Sequence, residues 1–461
     1  MTKKLFAFAV VAAFLAMPIY AKTTKQYQRP SLHTVLLTTK KDAAKGTIQI
    51  ADPEILGYAA ESWNLYTKPA LYNDFAVPFK SLEVTTAKGS IMEVMNQYNN
   101  KGSMANMSIS ELKNIVDLFQ GKKYREDLKK DVETVSDEIA HQLVAKWWGI
   151  KKDGSYNWDL LFELACYSAT QNQANDAAMS TMGAANELFN ELAGPTMANT
   201  FVTFTKLDFY ENEPIAAFIK NIMYTVASMT PSPGNLAVQI AADKTYESTR
   251  EGYTAFANAL LYQLEWNDSI ANEFYNLWTT DKKGNQVIDM KKFNAMKFNL
   301  RYVGNTGSKV TCMMKKGDKG KDAQHMVHKT IFKTLDKQFA DLQAAYEEFR
   351  PMVPILGIDA KGGIIADMGT KEGIKVGDKF NILEPITNEK GITKYNYKGT
   401  VKVVKWSSDK EGEFVDGVWN NAEIDNATAA TEADGSEDIV GSHLSKFKNA
   451  SPSWFVKRTK K

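Results

Sequence analysis

Residues 201–210 read FVTFTKLDFY, a run in which apolar and polar side chains largely alternate. This period of two is typical of a β-strand, because successive side chains of a strand point to opposite faces of the sheet. A second such run, NALLYQLEW at 258–266, places its large apolar side chains on one face. Between them lie an apolar segment with helical spacing, 215–229, and the turn PSPG at 231–234. We therefore predict a sheet with helices packed on it, and we expect 215–229 to pack there rather than on a membrane surface.

Further helices flank these strands. The longest helical run ends before Pro351 and carries apolar side chains every three or four positions: Ile331, Leu335, Phe339, Leu342, Tyr346 and Phe349. A second stripe ends near Gly149 and carries Val132, Val135, Ile139, Leu143 and Trp147. Ser108 and Glu111 have the spacing of a capping box, which marks the start of a helix. The predicted fold class is therefore mixed α+β, with a helix-rich domain on a small mixed sheet.

The chain from residue 351 onward differs, because short β-rich runs alternate there with glycines. The runs occupy 364–366, 379–383, 395–397 and 400–406, and Trp454-Phe455-Val456 has the composition of a returning final strand. Short strands separated by turns predict a small C-terminal β-barrel or sandwich. Residues 422–441 are acidic and polar, and we expect a loose loop there.

The first 21 residues have the order of a secretory signal peptide, with Lys3 and Lys4, an apolar run at 5–17 and Ala21 at the cleavage position. The apolar run is shorter than the roughly 20 residues that span a bilayer. We therefore expect export to the periplasm or outer membrane of a Gram-negative bacterium, or secretion. No transmembrane span is expected in the mature chain. The expected divisions are the signal peptide at 1–21, a mixed segment at 22–107, the helix-rich α/β domain at 108–350 and the β module at 351–461.

Composition excludes several classes of protein. The 461 residues include 56 Lys and Arg against 54 Asp and Glu, a net charge of +2, whereas a dedicated nucleic-acid binder normally carries a basic domain. Two cysteines are too few for a disulfide-rich scaffold. We expect Cys166 and Cys312 each to be a small buried side chain, with a disulfide between them as the alternative.

Three stretches carry a resemblance to known proteins. They begin LFELACYSAT at 161, YTAFANALLY at 253 and GTKEGIKVGD at 369, and together they resemble a large group of uncharacterised exported proteins from Gram-negative anaerobes. The middle of the chain is also similar to the periplasmic α/β fold of the curli-secretion channel lipoprotein, the penicillin-binding-protein activator lipoproteins and the TolB amino-terminal domain. The last stretch resembles the C-terminal β module of a flagellar assembly protein. The lipid-bearing cysteine and the paired amphipathic hairpins of the channel are missing, so the resemblance does not imply a pore.

His325 and His328 are the candidate metal ligands, because an i, i+3 pair on a helix can share a metal and Asp322 precedes the pair by one turn. The more ordinary interpretation is a solvated helix start. We expect His141 to face solvent, since it lies between Ile139 and Leu143 on their apolar stripe. His33 and His443 are isolated in the sequence, and no cofactor is expected.

Motifs for catalysis are missing from the sequence, including a nucleophile elbow, a zinc helix, a Walker loop and a dinucleotide fingerprint. The run DKKGNQVID at 281–289 resembles a calcium loop, but Lys283 occupies a ligand position, so we expect a hairpin turn. Trp147, Trp158 and Trp266 fit core positions. Trp406 and Trp419 are candidate glycan contacts.

The first functional hypothesis is an exported, non-enzymatic cell-envelope protein that acts as an assembly, scaffold or interaction component, with another envelope protein as its partner. The second is a carbohydrate- or peptidoglycan-binding protein. The third is a hydrolase with a carboxylate site that sequence alone does not reveal. Nucleic acid is not an expected partner under any of the three.

Overall fold

The computed structural model describes residues 30–39, 53–69, 72–74, 77–84, 95, 108, 110–111, 113–114, 117, 127–161, 193–314, 323–350, 352–387, 393–408, 412–422 and 441–459. Over these ranges the fold is mixed α+β, as predicted. The predicted signal peptide, Cys166, Asp322 and nearly all of the acidic loop at 422–441 lie outside the described residues. At the predicted capping box, the Ser108 N–H donates to Glu111 Oε2 at 2.8 Å and the Glu111 N–H to Ser108 Oγ at 3.3 Å.

The strands and helices follow one another along the whole described chain. The strands are β1 (Ser31–Thr39), β2 (Asn73–Asp74), β3 (Ser81–Val84), β4 (Thr200–Glu211), β5 (Gly252–Leu264), β6 (Trp278–Thr280), β7 (Gln286–Ile288), β8 (Leu300–Met313), β9 (Met352–Ile358), β10 (Gly363–Ala366), β11 (Lys379–Thr387), β12 (Thr393–Lys402), β13 (Phe414–Val415), β14 (Val418–Trp419), β15 (Ser442–Lys446) and β16 (Phe455–Arg458). The helices are α1 (Pro53–Leu65), α2 (Asp127–Glu133), α3 (Ser136–Trp147), α4 (Asn212–Ser228), α5 (Gly234–Thr249), α6 (Asp268–Tyr275), α7 (Met290–Ala295) and α8 (Ala323–Ala345).

The first sheet has the strand order β2-β1-β4-β5-β8, with β3 also paired to β1. Strand β1 is parallel to β2, β3 and β4, and Ser31 pairs with Thr200. The β4–β5 and β5–β8 pairs are antiparallel. The predicted strands at 201–210 and 258–266 are thus β4 and β5, which lie side by side at the centre. Nearly every residue of β4 is buried, because both faces of the sheet are covered.

Helices cover the sheet on both faces. On one face α8, the longest predicted helix, packs Ile331, Leu335 and Phe339 against strand residues such as Phe201 and Phe209. On the other face α3 buries Ile139, Leu143 and Trp147 of the predicted stripe against the strands. The single helix predicted for this stripe is two helices, with Val132 on α2 and Val135 between α2 and α3. The core therefore consists of two apolar layers with the sheet between them.

One long strand replaces two that the sequence predicts. Residues 298–303 and 309–314 read as separate strands across a glycine-containing gap, whereas β8 runs through from Leu300 to Met313. A side chain at Gly304 would collide with the ring of Tyr346 on the segment after α8. The Tyr346 hydroxyl also accepts the N–H of Asn305 and donates to its carbonyl, each at 2.8 Å. Gly304 thus marks a close approach of the segment after α8 to the strand, not a turn.

The C-terminal β module is a single antiparallel sheet with the order β12-β11-β16-β9-β10-β15. Its two edge strands approach each other through one bridge between Val403 and Leu444, without a continuous ladder. Where the sequence predicts a small barrel or sandwich, the module is therefore one six-stranded sheet that does not close into a barrel. Its core includes Val353, Ile364, Phe380, Ile382 and Val456, so the returning strand predicted at 454–456 is confirmed as β16.

The end of α8 packs against this module. Arg350 donates to the carbonyls of Gln343 and Arg458, and Arg458 donates to the carbonyls of Glu372 and Gly373 and to the carboxylate of Asp378. A Cβ at Gly373, where φ is +63°, would lie 2.6 Å from Ala340 Cβ. A glycine therefore lets this loop approach α8 in a left-handed conformation.

Candidate functional site

A helical hairpin, α4 followed by α5, is inserted between the paired strands β4 and β5. The helix predicted at 215–229 is confirmed as α4, whereas α5 is not predicted by the sequence. The side chains of Ile215, Ala216 and Phe218 are buried near the base of α4. Toward the other end of the hairpin the burial decreases, and Ala242 is the one buried residue of α5.

A charged and aromatic group holds the two helices together part-way along the hairpin. The carboxylate of Asp243 accepts the Tyr224 hydroxyl at 2.9 Å and lies 2.7 Å from Lys220 Nζ. The hydrogen bond to Asp243 raises the pKa of Lys220, and the bonds from Lys220 and Tyr224 lower the pKa of Asp243. The Tyr246 hydroxyl donates to Glu213 at 3.1 Å. Lys220 and Asp243 are therefore both ionised at neutral pH.

Beyond this group the hairpin carries no charge. Residues 221–242 contain no Asp, Glu, Lys or Arg, and we name this part the hairpin tip. Four large apolar side chains of the tip are exposed by 40 to 58% of their surface, namely Val226, Met229, Leu236 and Ile240. Exposed apolar side chains grouped in this way mark an interaction surface. The uncharged run was the sequence signal that could have identified it.

A second group of side chains gathers on the β module around Trp406, one of the two candidate glycan contacts. The imidazole of His443 stacks on the Trp406 ring with centroids 3.7 Å apart and planes 6° apart. His443 Nδ1 lies 3.3 Å from Asp359 Oδ2. Asp359 Oδ1 accepts the backbone N–H groups of Lys361 and Gly363, each at 2.8 Å. His443, isolated in the sequence, is therefore one of three residues that the fold brings together.

The charges in this Trp406 cluster follow from its burial. Burial lowers the pKa of His443, although the nearby Asp359 works in the opposite direction. Burial also works against ionised Asp359, but hydrogen bonds from Gly363, Lys361 and His443 hold its pKa below the ordinary value. At neutral pH the imidazole is neutral, so Nδ1–H donates to the carboxylate and Nε2 is an acceptor. The pair fixes the plane of the imidazole on which Trp406 stacks.

Trp419, the other candidate glycan contact, belongs to the small β13–β14 hairpin, where it pairs with Phe414. This hairpin lies against the Trp406 segment, because the Trp406 N–H donates to the carbonyl of Gly417 at 3.1 Å. Phe414 also lies 6.2 Å from the His443 ring. The structure thus brings Trp406 and the Trp419 hairpin together through the backbone. Both tryptophans are half-buried.

The two candidate metal ligands take different positions. His328 Nε2 lies 3.7 Å from Glu61 Oε2 of α1, and the imidazole stacks parallel to Phe332. His325, at the start of α8, is half-buried and has interactions of its own. Within the described ranges, no group of three or more His, Cys, Asp or Glu side chains is arranged to hold a metal ion. Cys312 is a buried, free thiol.

His141 does not face solvent, contrary to the prediction. Its imidazole packs edge-on against Phe293 and Phe298, and its Nε2 contacts the carbonyl of Met296. The segment that includes α7 covers this side of α3, which a helical periodicity cannot reveal. The hairpin predicted at 281–289 is confirmed, since residues 281–285 connect the antiparallel strands β6 and β7.

No protein-family model matches this chain, and a search of the curated proteins finds no match either. The interpretation of the hairpin tip and of the Trp406 cluster is therefore based on the residues of this protein alone. Of the helices in the described part of the chain, none combines the length and the apolar character needed to cross a membrane.

Proposed function

We propose that this protein is an exported, non-enzymatic component of the cell envelope that acts through an interaction surface. The observation that carries the proposal is the hairpin tip, with its exposed Val226, Met229, Leu236 and Ile240. When a partner covers exposed apolar side chains of this kind, the free energy of the system decreases. An assembly or scaffold role follows from such a surface, and export rests on the predicted signal peptide.

The position of the hairpin supports a role beyond folding. Glu211 at the end of β4 already pairs with Tyr253 at the start of β5. A turn of two to five residues is the usual connection between strands paired in this way. Instead the chain inserts helices of 17 and 16 residues. Since the sheet does not need this insertion, we assign it to contact with a partner.

The double variant Leu236→Asp/Ile240→Asp tests this assignment in cells. We expect the share of the protein that sediments with the envelope to fall at least about tenfold, because two charges replace two of the exposed apolar side chains of the tip. Quantitative immunoblotting of the envelope and soluble fractions provides the measurement. Leu65→Asp/Val376→Asp is the matched control, since these residues are exposed to a similar extent elsewhere on the protein. Unchanged sedimentation of the tip variant would contradict the assignment.

A second candidate function, glycan binding, is favoured by the Trp406 cluster. An indole whose plane is fixed by a stacked imidazole is a suitable platform for the apolar face of a sugar, because little side-chain freedom is lost on binding. The ammonium of Lys361 lies 5.8 Å from the Trp406 ring, within reach of a hydroxyl or carboxylate group on a bound glycan.

Trp406→Ala is expected to lower retention on insoluble peptidoglycan by about tenfold, the loss of one aromatic stacking contact. Trp406→Phe should recover part of the retention, since it keeps an aromatic ring. Tyr397→Ala is the control, because Tyr397 is an exposed aromatic residue of the same module. Equal retention of Trp406→Ala and the unaltered protein in pull-downs would exclude glycan binding at this cluster.

A further inference from the structure

Building on the proposed function, we infer that the hairpin tip binds the surface of a lipid bilayer and inserts Val226, Met229, Leu236 and Ile240 at the boundary between headgroups and acyl chains. The inference names the partner of the surface described above. Four properties of the hairpin carry it: where the charge lies, how long the tip is, how its polar groups are paired, and how its exposed face changes along the axis.

The distribution of charge divides the hairpin into a charged base and an uncharged tip. Lys220 and Asp243 lie at one level, one on each helix, and residues 221–242 beyond them carry no charge. Tyr224 and Tyr246 lie beside this pair, with Lys220 Nζ 5.6 and 5.0 Å from their ring centroids. Tyrosine and lysine near an uncharged segment are typical of residues at a membrane–water interface. The pair therefore marks the depth at which insertion would stop.

The length of the tip fits one leaflet. From Lys220 to the end of α4 at Ser228 is eight residues, or about 12 Å at the helical rise. The hydrocarbon core of a bilayer is about 30 Å thick, so its half is about 15 Å. The tip is thus long enough to enter one leaflet and too short to cross both.

Several hydroxyl and N–H groups near the turn of the tip are paired within the hairpin, as a lipid environment requires. The hydroxyls of Thr225, Ser228 and Thr230 donate to the carbonyls of Asn221, Thr225 and Val226 at 2.7 to 3.0 Å. The N–H groups of Met229, Thr230 and Gly234 donate to carbonyls within the hairpin, and Pro231 and Pro233 have no N–H. The pairing of these groups lowers the desolvation cost of moving the turn into lipid.

The exposed face of α5 distinguishes a bilayer from a protein groove. Leu236 and Ile240 are followed on this face by Lys244 and Glu247, all of them exposed. A helix that lies lengthwise in a groove continues its apolar positions over further turns. Here the face changes from apolar to charged at the level of Asp243. This change along the axis fits a hairpin that enters a partner end-on.

Flotation with protein-free vesicles tests the inference. The full-length protein should bind vesicles of phosphatidylethanolamine and phosphatidylglycerol in equal parts, and Leu236→Asp/Ile240→Asp should bind on the order of a hundredfold more weakly. Leu65→Asp/Val376→Asp should bind like the unaltered protein. Because the tip is uncharged, binding should change less than about twofold between low and high salt, and phosphatidylcholine vesicles should serve equally well.

Depth is measured by quenching with brominated lipid. Leu236→Trp should gain a component of fluorescence that the lipid quenches, whereas Leu65→Trp should not. Absence of both vesicle binding and quenching would overturn the lipid inference. If the tip variant nevertheless leaves the envelope in cells, the proposed function stands and the partner is a protein. Binding that high salt abolishes would also overturn the inference, because charged side chains outside the tip would then carry it.

Discussion

Lys206→Met is expected to lower the free energy of unfolding by about 3–5 kcal/mol, the cost of leaving one charge of a buried pair without its partner. Lys206 and Asp208 lie two positions apart on β4, so their side chains point to the same face. Lys206 Nζ is 2.6 Å from Asp208 Oδ1, and the two side chains are 1% and 5% exposed. Once the ammonium is removed, the carboxylate has neither water nor its counter-charge. Urea denaturation followed by circular dichroism measures the loss.

The double variant Lys206→Met/Asp208→Asn separates this cause from a packing defect. It removes both charges at nearly constant volume, so we expect it to recover most of the lost stability. Lys220→Met serves as the exposed counterpart, because Lys220 and Asp243 are 31% and 49% exposed and still 2.7 Å apart. Solvent screens that pair, so its loss should leave the denaturation midpoint nearly unchanged. Equal effects at Lys206 and Lys220 would show that burial is not the cause.

We expect the protein to lose stability as the pH rises, and we expect Glu372→Gln to abolish this pH dependence. The side chain is fully buried where the β module meets α8, and burial raises its pKa to about 7 from 4.5. A carboxyl group with a raised folded-state pKa stabilises the fold below its unfolded pKa, and this contribution is lost as the pH rises through the folded pKa. The unaltered protein should therefore lose about 3 kcal/mol between pH 4.5 and 7 from this group.

The measurement compares urea denaturation of both proteins at several pH values between 4.5 and 8. Glutamine cannot ionise, so the advantage of the variant should grow as the pH rises. Its amide oxygen can still accept the Gly369 N–H and the Asn421 amide, which donate to Glu372 Oε2 at 2.7 and 2.8 Å. Glu384→Gln controls for the loss of one negative charge on the same module. A difference between Glu372→Gln and the unaltered protein that stays constant with pH would contradict the prediction.

Local periodicity predicts the elements that lie in the core. The alternation at 201–210 predicts β4, although both faces of this strand are buried. The stripe from Ile331 to Leu342 predicts α8, because burial of a helix against one layer leaves a regular pattern in the chain. The same logic fails at Gly304, where a ring from a distant segment requires the glycine. It also fails for His141, which is covered by a segment that includes α7. In both cases the cause lies far away in the sequence.

The candidate sites also combine features that a local sequence pattern predicts with features that depend on distant residues. The uncharged run at 221–242 is visible in the sequence, but its exposure depends on how α4 and α5 pack in the folded protein. Trp406 is a reasonable candidate from composition, whereas its stacking with His443 and the link to Asp359 require three separate parts of the β module to meet. These contacts depend on the order of the strands in the sheet. The pairing of β10 with β15 cannot be predicted from the pattern of a single sequence.

The parallel pairing of β1 with β4 has a consequence for folding kinetics. Ser31 has to find Thr200, so β1 cannot complete its ladder with β4 until the chain beyond β4 has left the ribosome. Contacts of such long sequence separation slow folding, because loop closure comes before any gain from the contact. Until then the edge of β1 that pairs with β4 is open, and an open strand edge is a template for pairing between molecules. The nascent chain therefore has a long interval in which a chaperone can hold it unfolded.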